Sequence, residues 1–129
     1  MNRDHERRDA LLAPYAGAQG GCIYSFSEVP LETLEVLFEE GFIDPEDAQN
    51  FAPTAGEFLE MLRAVPTLTV HGYAVSHERE DYRVSIEGVA GTVPTLTALD
   101  ILTDYRADEA TTETDLATPD LTNIYLWWD

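Results

Sequence analysis

The sequence predicts an α+β fold in which N-terminal helices are followed by a β-hairpin, a further helix and a C-terminal strand, with the strands forming a small antiparallel sheet. Residues 67–89 contain two runs rich in β-branched and aromatic side chains on either side of a charged cluster, which is the pattern of a hairpin. Residues 31–40 place leucine and phenylalanine at helical spacing, and residues 121–129 alternate like a strand. At 129 residues, we expect one domain, residues 1–129.

The loop of the hairpin decides which side chains of its first strand face the core. The second strand presents Val84 and Ile86 to one face. An odd number of loop residues would place Val70 and Ala74 on that same face, whereas an even number would place His71 there instead, because a one-residue slip exchanges the two faces. We favour the odd register, since the small side chains of that face would let a helix pack closely against the sheet.

Helix signals precede the hairpin at three places. Residues 31–40 carry an apolar stripe with glutamates on the outward side. Asp44, followed by proline and acids, predicts a short second helix that ends near residue 50 or 51. Thr54 and Glu57 have the spacing of a capping box, which predicts a third helix that ends before Pro66.

The remaining segments give weaker signals. Residues 1–12 are expected to form a frayed helix, and the glycine-rich residues 16–21 a flexible connector. Residues 22–26 alternate as a short strand. Residues 107–120 are rich in threonine and acids and have little to bury, so they are expected to form a mobile acidic loop. The final strand should place Ile124, Leu126 and Trp128 on one face.

Residues 95–106 fit two interpretations. As a strand, the segment would place two aspartates beside its leucines; as a helix, it would begin with Thr95 as its N-cap and gather four apolar side chains on one stripe. The helix is favoured because it separates apolar from acidic side chains. The expected stripe consists of Leu96, Leu99, Leu102 and Tyr105.

The chain is strongly acidic. It has 25 aspartates and glutamates against seven basic residues, all of them arginine, for a formal net charge of −18. This balance repels nucleic-acid phosphates and anionic membranes. The composition resembles that of proteins from halophilic archaea, whose acidic, lysine-poor surfaces stay hydrated in molar salt. The alternative explanation is a nucleic-acid mimic that inhibits a basic partner.

Several classes of protein are excluded or disfavoured by single residue types. A chain without lysine has no Walker A loop, Schiff-base lysine or kinase-type site. The only cysteine, Cys22, has no partner for an internal disulfide. No apolar run has the length of a membrane span, and the polar start lacks the apolar core of a signal peptide. We therefore expect a cytoplasmic protein with no membrane association.

The chemistry-bearing residues form no convincing catalytic or metal-binding motif. Cys22 could pair with His71 or His77 as nucleophile and base, and the two histidines could share a metal with carboxylates, but no local pattern supports either arrangement. No catalytic residue, metal ligand or cofactor is therefore predicted. The aromatic side chains of the hairpin and the last strand indicate a possible interaction surface instead. Its predicted members are His71, Tyr73, Tyr125 and Trp127.

These observations lead us to expect a non-enzymatic protein that acts by association with another protein or with itself. A winged-helix regulator is an alternative, because three helices before a hairpin is the order of that fold. Its recognition helix would be residues 54–65, which offer only Arg63 to phosphates, so nucleic-acid binding is disfavoured.

Overall fold

The computed structural model describes residues 1–129 and contains six strands and four helices. The strands are Ala16–Gly20 (β1), Ile23–Val29 (β2), Thr69–Val75 (β3), Val84–Pro94 (β4), Glu109–Glu113 (β5) and Leu121–Trp127 (β6). The helices are His5–Leu12 (α1), Leu31–Glu39 (α2), Ala55–Ala64 (α3) and Thr95–Asp104 (α4), and a 3-10 turn, Ala13–Tyr15, follows α1. All strands pair antiparallel in one sheet, in the order β1-β2-β3-β4-β6-β5. The predicted α+β class is confirmed.

The hairpin forms the centre of this sheet, in the favoured register. Ala74 lies opposite Val84 and Val70 lies opposite Val89. A bulge between His71 and the following residue shifts the register by one position. A bulge adds one residue to one strand. The core-facing residues of β4 before the bulge and those after it can therefore lie on the same face, despite the shift in register.

One face of the sheet packs against the helices. Phe58 of α3 contacts Trp128 edge to face, with ring centroids 5.5 Å apart, and Leu12 of α1 lies in the same core. As predicted, Ile124 and Leu126 share this face with Trp128, and all three are buried. None of the four helices has the length and apolar composition needed to cross a membrane. The core side chains that are at most 1% exposed are Leu12, Val29, Leu34, Leu37, Phe42, Phe58, Leu62, Leu68, Val70, Ala74, Val89, Val93, Ile124, Leu126 and Trp128.

The predicted capping box at the start of α3 is present. The Glu57 backbone N–H donates to Thr54 Oγ1 at 3.1 Å, and the Thr54 N–H donates to Glu57 Oε1 at 3.0 Å. Both of these backbone donors precede the first intrahelical bond and would otherwise need water. The hydroxyl of Tyr105 donates to Glu57 Oε2 at 3.0 Å, which ties the end of α4 to the start of α3.

The short helix predicted after Asp44 is wrong. Asp44 does accept the Glu46 backbone N–H at 3.0 Å, but the chain makes only a turn there. The carbonyl oxygens of Pro45 and Asp47 accept the N–H groups of residues 56 and 55, both at 2.8 Å. A helix would have directed those carbonyls to residues 49 and 51, so bonding to the first turn of α3 replaces it.

Two segments predicted to be irregular are edge strands. The connector at residues 16–21 contains β1, and the predicted loop at residues 107–120 contains β5. Every residue of both strands is exposed, so neither carries the buried, alternating apolar pattern that identifies a strand in sequence. Their conformation comes from pairing with β2 and β6.

The helix at α4 is confirmed over the alternative strand, and Leu102 and Tyr105 of its predicted stripe pack against the core, but the other two members of the stripe do not. Ala98 and Ile101 face the core, whereas Leu96 and Leu99 are 76% and 55% exposed. Thr95 is the first helical residue rather than the N-cap, and its hydroxyl donates to the Pro119 carbonyl at 2.9 Å. Because α4 follows β4 without a loop, the strand fixes which side of the helix meets the sheet.

Candidate functional site

The four residues predicted to form an interaction surface lie on the side of the sheet opposite the helices. We call this side the open face and define it by His71, Tyr73, Ser85, Tyr125 and Trp127. Tyr73 lies opposite Ser85 between β3 and β4, and directly opposed residues share a face. His71 pairs with Gly88, Gly88 pairs with Trp127, and Tyr125 lies two residues before Trp127, so all four predicted residues share this face.

A row of residues crosses three strands of this face. His71 on β3 pairs with Gly88 on β4, which pairs in turn with Trp127 on β6. Tyr125 lies two residues before Trp127 and stacks on His71, with ring centroids 4.5 Å apart and an interplanar angle of 3°. The structure thus brings three of the four predicted residues into one group, with Tyr73 further along β3.

The glycine at position 88 makes room for the imidazole ring. A Cβ built on Gly88 would overlap the carbonyl oxygen of Leu126 and the Nε2 atom of His71. Any side chain there would push the imidazole away from β4. Gly88 therefore permits the stacked position of His71, a role that the sequence alone did not indicate.

His71 is held in its neutral form. Only 7% of the residue is exposed. Burial penalises the imidazolium and lowers the pKa of His71 to about 4, although the backbone carbonyl of Leu126 acts in the opposite direction. The Nε2 atom is buried without a hydrogen-bond partner. At neutral pH this residue therefore contributes an uncharged, planar ring.

Trp127 is fixed by a carboxylate. Its indole Nε1 donates to Glu87 Oε2 at 3.3 Å, and the Trp128 backbone N–H donates to the Glu87 carbonyl oxygen at 2.8 Å. Burial raises the pKa of the Glu87 carboxyl, although the bond from Trp127 acts against that shift. Glu87 is therefore a partly desolvated acceptor at the edge of the aromatic group.

A cavity of about 240 Å³ opens beside this group. Strand residues alone line it, so no helix closes it. It is smaller than the cavities that usually hold drug-sized ligands, which suits it to one side chain of a partner. Its lining residues are Ser25, Phe26, Ser27, His71, Gly72, Glu87, Tyr125 and Trp127.

Tyr73 has a different environment from the other three predicted residues. Its hydroxyl oxygen accepts hydrogen bonds from Arg83 Nη2 at 2.9 Å and from Gln49 Nε2 at 3.3 Å. The Arg83 guanidinium also lies 5.5 Å from the centre of the tyrosine ring. Tyr73 thus anchors neighbouring side chains and presents less of its surface to a partner.

A second cavity, of about 440 Å³, lies between α1, the β1–β2 turn and the loop after β3. Its polar centre is Asp9, whose Oδ1 accepts from Tyr24 Oη at 2.6 Å and from Arg8 Nε at 3.0 Å. Arg8 is only 1% exposed and also donates to the Val75 carbonyl oxygen at 2.8 Å. Burial, followed by the bond to Asp9, raises the pKa of Tyr24. The side chains of Asp9, Tyr24 and Arg8 therefore use their polar atoms in these hydrogen bonds, and few of those atoms remain free to bind a ligand.

No local sequence pattern indicates this buried cluster, because Val75 is 67 residues away from Arg8 along the chain. The exposed Cys22 and His77 also line the second cavity, whereas His71 lies at the first. The disfavoured pairing of Cys22 with His71 gains no support, because the two residues line different cavities. No three His, Cys, Asp or Glu side chains come together in a way that could hold a metal ion.

The sequence matches no protein-family model, and the comparisons with curated proteins and with solved structures found no match.

Proposed function

We propose that this chain is a non-enzymatic cytoplasmic protein that binds another protein through its open face. The supporting observation is the small aromatic cavity formed by His71, Tyr125 and Trp127 on a side of the sheet that no helix covers. Tyr125 is 45% exposed although it stacks on a buried ring, so an aromatic surface is held in place and accessible. Rigid aromatic side chains lose little entropy on binding and are enriched at the centres of protein interfaces.

The arginines favour a protein partner over a nucleic acid. Five of the seven have a carboxylate within salt-bridge distance, so few positive charges are free to contact phosphates. α3 is the helix that a winged-helix protein would insert into DNA. On it, Arg63 Nη1 lies 3.0 Å from Glu60 Oε1, and Arg63 Nη2 lies 3.8 Å from Glu35 Oε2. The hairpin is central in a six-stranded sheet rather than projecting as a wing. The winged-helix alternative therefore gains no support.

The charges around the open face favour a basic partner. Glu109 pairs with Trp127 and Glu113 pairs with Asn123, so both glutamates lie on this face. Glu87 adds a third carboxylate beside the cavity. Charge complementarity then calls for a partner that places one apolar or aromatic side chain in the cavity, with arginine or lysine around it.

We further propose that the net charge of −18 is an adaptation to high intracellular salt. Like charges destabilise a compact chain, and the Debye length shortens from about 10 Å at 0.1 M salt to about 3 Å at 1 M. Circular dichroism at 0.1 M and 2 M KCl tests this. We expect full secondary structure only at the higher concentration, and complete folding at 0.1 M would argue against salt adaptation.

Selection from a random displayed peptide library, carried out in 1 M KCl, tests the binding proposal. We expect peptides with an aromatic or large apolar residue between basic residues, and their affinity should fall at least tenfold for Tyr125→Ser. Leu116→Ser is the matched control, because Leu116 is 94% exposed and lies outside the open face. Selected peptides that are acidic, or that bind Tyr125→Ser as tightly as the original chain, would contradict the proposal.

A further inference from the structure

One face of the Tyr125 ring is open to solvent. His71 covers the other face, with ring centroids 4.5 Å apart, yet 45% of Tyr125 remains exposed. Tyr125 is the most exposed of the six tyrosines in the chain. The accessible part of this side chain is therefore the ring face that points away from His71, together with the ring edge.

Carboxylates lie on both sides of this ring. Thr111 of β5 is directly opposite Tyr125, and Glu109 and Glu113 are the next β5 residues on the same face. Diagonal neighbours of this kind are about 7–8 Å apart, a separation that long side chains can bridge. Both glutamates are exposed, and no arginine lies within salt-bridge distance of either. An open aromatic face is thus flanked by two carboxylates that have no cation.

The ring beneath Tyr125 adds no positive charge. His71 is 7% exposed, and burial lowers the pKa of its imidazole, which is neutral at pH 7. An imidazolium in this position would repel a second cation on the opposite side of the tyrosine ring. With a neutral imidazole, the outer face of Tyr125 keeps the negative potential that attracts cations.

Stacking of arginine on tyrosine also occurs inside this chain. The guanidinium carbons of Arg3 and Arg8 lie 4.7 Å and 4.5 Å from the centre of the Tyr82 ring. No arginine of the chain stacks on Tyr125. The most exposed tyrosine is therefore free to take an arginine from another molecule.

From these observations we infer that the protein partner supplies an arginine whose guanidinium stacks on the outer face of Tyr125 and donates to Glu109 and Glu113. The five N–H donors of a guanidinium lie in its plane, so stacking directs them sideways, towards carboxylates beside the ring. This inference rests on the binding proposal and assigns a position to the partner's basic residue. That position is distinct from the cavity, which neither glutamate lines.

Arginine fits this position better than lysine does. An ammonium group is more strongly hydrated than a guanidinium and has no flat surface to place against a ring. At 1 M salt the Debye length is about 3 Å, so an ammonium is only weakly attracted to carboxylates that it does not touch. A stacked guanidinium is in contact with the ring and with both carboxylates, and the preference for arginine should therefore persist in molar KCl.

An NMR titration with two small probes tests the inference. N-acetyl-argininamide or N-acetyl-lysinamide is added in 1 M KCl to protein with isotope-labelled tyrosine rings, and Tyr125→Phe identifies the ring signals of Tyr125. We expect these signals to move with the arginine probe, at an apparent affinity at least threefold higher than that of the lysine probe.

Two double variants separate the β5 carboxylates from the general negative charge. In Glu109→Gln/Glu113→Gln, the affinity of Tyr125 for the arginine probe should fall at least threefold. Glu78→Gln/Glu80→Gln removes the same charge from the loop between β3 and β4, where both glutamates are exposed, and should leave that affinity unchanged. The inference is overturned if the Tyr125 signals do not move, if the two probes bind equally, or if both double variants weaken binding alike.

Failure of the inference can be told apart from failure of the binding proposal. The probes carry no aromatic side chain and do not need the cavity, so their titration does not depend on the peptide selection. Selected peptides that lose affinity for Tyr125→Ser, but bind equally well when lysine replaces their arginine, would support the binding proposal and overturn this inference.

Discussion

Acidification should expose how strongly the fold depends on a neutral His71. The drop in the pKa of His71 from its ordinary value of 6.5 to about 4 corresponds to about 3 kcal/mol, because one pKa unit is worth about 1.36 kcal/mol. The unfolded chain takes up this proton near pH 6.5, whereas the folded chain resists it down to about pH 4. This contribution to stability is therefore constant above pH 6.5 and is lost as the pH falls from 6.5 towards 4.

His71→Phe isolates this effect from the titration of the 25 acids. Phenylalanine keeps a planar ring over Gly88 and against Tyr125 but takes up no proton. The free energy of unfolding of both proteins is measured with urea in 2 M KCl. Between pH 7.5 and 5, it should fall by about 2 kcal/mol more for the original chain than for the variant. A difference that stays constant across this interval would show that the pKa of His71 is the same in the folded and unfolded chains, which would refute the buried, neutral ring.

Two further substitutions test contacts elsewhere, both by urea unfolding. Gly88→Ala should lower the free energy of unfolding by about 2–3 kcal/mol, because its methyl group would overlap the Leu126 carbonyl oxygen. Gly20→Ala is its control. The added methyl group meets no atom within 4 Å there, so the free energy of unfolding should change by less than about 0.5 kcal/mol. Arg8→Met should lower it by about 2–4 kcal/mol, since a buried hydrogen bond to β3 and a stacking contact with a tyrosine ring are lost. The exposed Arg7→Met is its control and should leave the unfolding midpoint nearly unchanged. A smaller loss for Arg8→Met than for Arg7→Met would contradict the buried position of Arg8.

Elements with local causes could be predicted from the sequence. The capping box at Thr54 and Glu57 depends on two residues three positions apart, and the structure reproduces it. The alternation of Ile124, Leu126 and Trp128 is equally local, because one strand decides it. The open-face position of the predicted surface followed from the same period-two rule once the hairpin register was chosen correctly.

Elements with distant causes could not be predicted. β1 and β5 bury nothing and become strands through their neighbours. The helical spacing of apolar residues in α4 was compatible with more than one buried side. The direct connection from β4 decides that the side with Ala98 and Ile101 faces the core. The burial of Arg8 depends on Val75. In the candidate site, the aromatic members came from composition and alternation, whereas the role of Gly88 required the bulge in β4.

The last two tryptophans act as separate fluorescent reporters. Trp127 is half-buried on the open face, whereas the next residue, Trp128, is 1% exposed and packed against Phe58 in the core. A neutral quencher such as acrylamide should therefore reach the Trp127 indole in the folded protein and the Trp128 indole only after unfolding. In Trp127→Phe, the remaining emission comes from Trp128 and reports whether the core is intact. In Trp128→Phe, it comes from Trp127 and reports whether a partner occupies the open face. Adjacent positions in the chain thus separate folding from binding in one optical measurement.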